Sequence, residues 1–251
     1  MNKRFTDKIA IVTGAAMGIG KAVAMRLGKE GAKLALLDIN QKLLEETVEE
    51  LKEIGVEANG YTTDISNETQ VEQTVLRIEK DFSQIDILVN AAGIVGPTST
   101  KITNYSAADF DKVYNVNLKG TFLITKFTLE VMEKIGAGRI LLIASIAGKE
   151  GNPGMVGYST TKAGVIGLVK GVAKEFATTK ILINGLAPAV IATPMNDDTS
   201  PEQLKYMLAK IPMQRMGTVD EVAAMSCFIV SDENSFSTGF IYDISGGRAT
   251  Y

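Results

Sequence analysis

Short apolar runs alternate with longer amphipathic stretches from one end of this chain to the other. Residues 9–12, 33–37, 57–61, 85–89, 139–144, 181–187 and 238–244 read as strands. The first run, Ile9 to Val12, is apolar at every position, as expected of a strand covered on both faces of a parallel sheet. Between the runs lie helical patterns at 21–30, 41–55, 68–82, 158–176 and 219–230, with another at 201–210 inside the long connection 188–212. The stretch 41–55 is typical, since Leu43, Leu44, Val48, Leu51 and Ile54 fall on one side of a charged helix. Residues 107–135 form a longer helical region, broken around Asn115, Asn117 and Gly120. Any Asn buried among Val113, Val116, Leu118 and Phe122 needs a partner. Polar loops are expected at 94–106 and 149–157. Regular strand–helix alternation predicts an α/β fold: a doubly wound parallel sheet of about seven strands with helices on both faces. Residues 1–251 are expected to form one domain, with no internal repeat.

Composition narrows the chemistry. Lys and Arg number 26 against 29 Asp and Glu, giving a net charge of −3 with no basic cluster, so neither nucleic acid nor an anionic membrane is an expected partner. No histidine is present and Cys227 is the single cysteine, which excludes an intrachain disulfide and argues against a zinc or other metal site. Acid–base work near neutral pH must therefore fall to Asp, Glu, Lys, Tyr or Cys227. The N-terminus enters the first strand without an apolar signal segment, and no run of 18 apolar residues occurs, so a cytoplasmic location is expected.

The turn after the first strand, Thr13-Gly14-Ala15-Ala16-Met17-Gly18-Ile19-Gly20, leads directly into a helix. Glycines there permit a tight turn and close approach of a ligand to the backbone, and free N–H groups at the helix start attract phosphate. A dinucleotide suits such a turn. Asp38 stands at the tip of the second strand, where a carboxylate can accept hydrogen bonds from both hydroxyls of an adenosine ribose and repel a 2′-phosphate. Ala15, Ala16, Met17 and Ile39 offer no cation to offset that repulsion, which favours NAD over NADP. Asp64 and Ile65 end the third strand where an adenine ring could lie, and the small residues Ala91, Ala92 and Gly93 after Asn90 let the backbone approach the cofactor.

Ligands of such sheets bind beyond the carboxyl ends of the strands, and Ser145 stands at one of them. Tyr158 and Lys162 lie one turn apart on the next helix. A nearby ammonium stabilises a phenolate and lowers its pKa, so this pair could move a proton while Ser145 holds the substrate oxygen.

Together these residues resemble the classical short-chain dehydrogenase/reductase family, and the resemblance covers essentially the whole chain. The family's TGxxxGxG signature is matched by Thr13 to Gly20, and its Asn-Asn-Ala-Gly element by Asn90-Ala91-Ala92-Gly93, with the second Asn replaced. The resemblance implies a catalytic tetrad of Asn117, Ser145, Tyr158 and Lys162. Tyr158 would be the acid–base, Ser145 would polarise the substrate oxygen, Lys162 would bind the nicotinamide ribose, and Asn117 would hold a relay water. It further implies cofactor contacts from Gly14, Met17, Gly18, Ile19, Gly20, Asp38, Ile39, Asp64, Ile65, Asn90 to Gly93, Tyr158, Lys162, Ile191 and Thr193. The family's Pro-Gly is Pro188-Ala189 here, a change expected to alter the nicotinamide end. The segments 148–153 and 245–251 look like those of members that oxidise sugars or sugar acids, while the general likeness extends to 3-oxoacyl-carrier-protein reductases, which usually prefer NADPH. Loops 94–104, 149–157 and 194–211, with Met155, Met195 and Met207, are the expected substrate-facing segments. A small polyol, sugar or sugar acid, a homotetramer and NAD are the expected substrate, assembly and cofactor; a non-catalytic dinucleotide-binding regulator is the alternative class.

Overall fold

The computed structural model describes residues 3–194, 201–249 and 251. Seven parallel strands, β1 (Ile9–Thr13), β2 (Lys33–Asp38), β3 (Ala58–Thr62), β4 (Ile87–Asn90), β5 (Ala137–Ile143), β6 (Lys180–Pro188) and β7 (Ile241–Ile244), form one sheet. Their order is β3-β2-β1-β4-β5-β6-β7. The direction of winding reverses between β1 and β4, which opens a crevice at their carboxyl ends.

Helices α1 (Gly18–Lys29), α2 (Gln41–Glu53) and α9 (Val219–Ile229) cover one face, and α3 (Glu68–Phe82), α5 (Thr121–Ile135) and α7 (Val156–Glu175) the other. Alternation along each strand divides the core accordingly. In β1, Ala10 and Val12 pack under α1, whereas Ile11 joins Val71, Leu123 and Val165 beneath the opposite layer. The remaining helices are α4 (Ala107–Tyr114), the short α6 (Ile146–Glu150) and α8 (Pro201–Ala209).

Most helix starts carry their own signal. Asn40, Asn67 and Ser106 each accept a hydrogen bond from a first-turn N–H, and Thr218 with Glu221 forms a reciprocal capping box. Helix α1 differs, because Met17 at its N-cap supplies no side-chain acceptor.

The doubly wound sheet expected from the pattern is present, with strand boundaries shifted by a residue or two. Three details differ. The last strand begins at Ile241 rather than residue 238, because Gly239 takes a left-handed φ of 72° and interrupts the ladder. The expected loop at 149–157 contains the end of α6 and the first turn of α7. The break in the helical region 107–135 is a π-helical segment, Asn115–Gly120, between α4 and α5. Met195 lies outside the described residues.

Candidate active site

The glycine turn is shaped by contacts that exclude side chains. Gly14 and Gly18 have φ of 64° and 56°, and a Cβ on Gly14 would stand 2.9 Å from the Ala92 backbone. A Cβ on Gly20 would strike the Gly14 carbonyl. With no side chain capping α1, the N–H groups of its first turn remain available to an anion. This is the cradle that a dinucleotide pyrophosphate requires, and the residues present fit a nicotinamide dinucleotide.

Asp38 closes the far side of the cradle. Its Oδ2 accepts from the Ala16 N–H at 3.0 Å and its Oδ1 from the Asn40 N–H at 2.9 Å. The carboxylate is thus fixed against the turn, and its remaining lone pairs are free to accept from ribose hydroxyls. Met17 and Ile39 are exposed beside it. Asp64 accepts from the Ser66 N–H and hydroxyl at 2.9 and 2.7 Å, while the Ile65 side chain is buried.

Asn90 does structural work at the centre. The Ala92 N–H donates to Thr13 Oγ1 (3.1 Å), and the Thr13 hydroxyl donates to Asn90 Oδ1 (2.5 Å). Asn90 Nδ2 donates to Thr121 Oγ1 (2.9 Å), whose hydroxyl donates to the Asn117 carbonyl (2.6 Å). The buried Asn117 finds its partners on the loop after β4. Its Oδ1 accepts from the Ile94 N–H and its Nδ2 donates to the Ile94 carbonyl, both at 2.8 Å, with a third bond to Thr161 Oγ1 at 3.3 Å. The Asn117 side chain thereby positions the loop at Ile94.

Ser145 is the N-cap of α6 and accepts from the Ala147 N–H at 3.1 Å. Ser145 and Tyr158 line the same cleft. Lys162, 5% exposed, donates to the Ile143 carbonyl at 2.8 Å and lies 5.8 Å from the centre of the Tyr158 ring. Burial pushes the Tyr158 phenol above its ordinary pKa, and the neighbouring Ser145 hydroxyl opposes that only in part. Burial dominates, and it also brings Lys162 itself down to about 8. Cys227, by contrast, is buried in α9 away from the cleft, and burial raises its thiol to about 12, which removes it as an acid–base.

A cleft of about 460 Å³ joins these parts, lined by Ile19, Ala91 and Gly93 from the cofactor side and by Ser145, Tyr158 and Lys162. Pro188, Ala189, Ile191 and Thr193 form another wall, held by bonds from the Gly217 N–H to the Val190 carbonyl and from the Ala192 N–H to the Gly217 carbonyl. Ala189 has no left-handed φ, so the backbone tolerates alanine where the family pattern has glycine. Thr193 packs over Gly18, within 3.6 Å of where a Cβ would lie. Val95, Gly96, Thr98, Ser99, Asn152, Met155 and Met207 line the outer part, in agreement with the expected substrate-facing loops. Two participants went unassigned in the sequence. Thr13 was readable as part of the glycine signature but not as the link to Asn90, and Arg248, from the C-terminal tail, carries no periodic signal.

A family model described as enoyl-(acyl carrier protein) reductase matches residues 14–249. The chain is 40% identical to 2-dehydro-3-deoxy-L-rhamnonate dehydrogenase (NAD(+)) of Sphingomonas sp. (strain SKA58), over 99% of this chain and 98% of that one. It is 36% identical to the 3-oxoacyl-(acyl-carrier-protein) reductase of Thermotoga maritima, over 97% of this chain and 98% of that one. Among solved structures, NAD+-bound xylitol dehydrogenase superposes with a TM-score of 0.92 at 34% identity, covering 97% of this chain and 99% of the other. The chain belongs to the short-chain dehydrogenase/reductase family and is an NAD(P)-dependent oxidoreductase acting on a CH–OH/C=O group.

Proposed function

We propose that this enzyme interconverts a secondary alcohol and a ketone on a small polyol, sugar or sugar acid, with NAD as cofactor, as a cytoplasmic homotetramer whose single domain carries both sites. The observation that carries the cofactor choice is Asp38, fixed by the Ala16 and Asn40 N–H groups beside a turn that has no cation. Its carboxylate would hold the adenosine ribose, the first turn of α1 the pyrophosphate, Asp64 and Ile65 the adenine, and Lys162 and Thr193 the nicotinamide end. When bound, the nicotinamide supplies or accepts the hydride. Ser145 holds the substrate oxygen by hydrogen bonding. The Tyr158 hydroxyl, kept protonated by burial, donates its proton in ketone reduction and must be ionised for alcohol oxidation, so oxidation gains with rising pH. Relatives support the substrate range: one is named for a sugar-acid derivative with NAD, and another for xylitol.

The test is kcat/KM with NAD and NADP across matched alditols and sugar acids. Charge-assisted hydrogen bonds contribute about 1.5–3 kcal/mol, so NAD is expected to be preferred at least about tenfold before repulsion is counted. Asp38→Ala should narrow that ratio, and Ile39→Arg added to it should narrow it further. Tyr158→Phe should cut turnover about a hundredfold or more without loss of NAD binding. Equal use of both cofactors by the unsubstituted enzyme would defeat the NAD assignment and favour the acyl-carrier-protein reductase reading.

A further inference from the structure

Beyond β7 the chain doubles back on itself. Gly246 and Gly247 take φ of 61° and 88°, the Arg248 N–H donates to the Ser245 carbonyl at 3.2 Å, and the Ala249 N–H returns to Ser245 Oγ at 3.1 Å. This turn drives the Arg248 side chain inward until only 3% of it is exposed, at the wall of the catalytic cleft. Its Nε donates to Glu150 Oε2 and its Nη2 to Asn152 Oδ1, each at 2.9 Å. Both acceptors lie just after Ser145, at the end of α6 and beyond Gly151.

We propose that Arg248 recognises a carboxylate on the substrate, so that the cleft takes a hydroxy or keto acid in preference to a neutral polyol. This rests on the proposed alcohol–ketone chemistry and names its substrate class. A guanidinium has five N–H donors, and Glu150 and Asn152 use two of them. The remainder are arranged in the planar fork that matches a carboxylate. Among the described residues lining the cleft, the cations are Lys162 and Arg248, and no Asp or Glu is present. Lys162 donates to the Ile143 carbonyl and is taken up by the nicotinamide end in the proposed function, which leaves Arg248 as the charge for a substrate anion. Glu150, 27% exposed, is the counter-charge of the guanidinium and does not line the cleft, where the Arg248 partner is the neutral Asn152 amide.

The two members of this ion pair separate recognition from scaffolding. If Arg248 binds the substrate, losing it and losing its competitor Glu150 have opposite effects. If the pair only braces α6, the two losses act alike. Calorimetry on the NAD-saturated protein would measure binding of gluconate against glucitol and lactate against propanediol, with Arg248→Gln, Arg248→Lys and Glu150→Gln compared with the unsubstituted enzyme, and thermal melting as the check on folding. At least one acid is expected to bind about tenfold or more tightly than its neutral counterpart. Arg248→Gln should erase that discrimination, Arg248→Lys should restore part of it, and Glu150→Gln should keep or increase it. Acids that bind no better than their neutral counterparts, or parallel losses in Arg248→Gln and Glu150→Gln, would overturn the assignment. Turnover of the same compounds is read separately: acid binding without any turnover would leave Arg248 in place and count against the proposed reaction instead.

Discussion

Lys162 is buried in the cleft wall, and its charge costs the fold stability. Its ammonium is buried with the Ile143 carbonyl as acceptor, and burial lowers its pKa from 10.5 to about 8. Below pH 8 both folded and unfolded chains hold the proton, and the folded chain bears the cost of burying the charge. Between about 8 and 10.5 the folded chain releases the proton while the unfolded chain retains it, so this residue makes stability rise with pH across that window. Lys162→Met removes the effect. The stability of the unsubstituted enzyme relative to Lys162→Met is therefore expected to increase from pH 7.5 to 10.5, by on the order of 3 kcal/mol. Urea unfolding of both proteins at several pH values measures it. A difference that stays flat, or falls with pH, would show that the Ile143 carbonyl satisfies the ammonium more fully than burial penalises it.

At the scale of elements, the π-helical segment is what the sequence conceals and the site depends on. Periodicity reads Ala107 to Ile135 as helical, and the Asn and Gly residues mark a disturbance, but apolar spacing carries no sign of a widened turn. The wider turn is stabilised by contacts from elsewhere in the chain. Gly120 lets Ile65 press against it, where a Cβ would come within 2.9 Å, and the Thr121 hydroxyl takes up the Asn117 carbonyl. Helix α6 was illegible for another reason, since five residues are too few for a repeat. The glycine turn, Asp38 and the strand–helix alternation were readable because their signals are local: glycines at fixed spacing and apolar runs buried on both faces. Thr121 tests the concealed part. Thr121→Val keeps the shape but leaves Asn90 Nδ2 without its acceptor and removes the hydroxyl bond to the Asn117 carbonyl, and an unsatisfied buried group costs about 1–3 kcal/mol. A loss of at least about 1 kcal/mol in unfolding free energy and weaker NAD binding are expected. Unchanged stability would mean that the Thr13–Asn90–Thr121–Asn117 chain of bonds is dispensable.

Among the described residues, two groups of exposed apolar side chains lie where subunits could meet. Much of the apolar excess on α5 and α7 is consumed internally, since Leu123, Phe127, Leu129, Val165 and Val169 are all buried. On that side Phe122 is 47% exposed, with Tyr114 near it in sequence, Ile135 exposed at the end of α5, and Ile166 and Leu168 half-buried on α7. The second place is the β7 edge of the sheet, where Phe236 is fully exposed, Phe240 is 56% exposed, and Phe228 on α9 is also open to solvent. One such patch suits a two-fold dimer. Two patches, one on a helical layer and one at a sheet edge, suit two different two-fold contacts, and two intersecting two-folds close into a tetramer. Sedimentation velocity at micromolar concentration is expected to give a mass near four times 26.9 kDa. Phe122→Asp should disrupt only the contact made by α5, and Phe240→Asp only the contact made by the β7 edge, so each should yield a dimer and the double variant a monomer. A monomer in the unsubstituted enzyme would refute the assembly. A tetramer unmoved by either substitution would place the contacts on other surfaces, because a buried charge without a partner at a two-fold interface is too costly to be absorbed in silence.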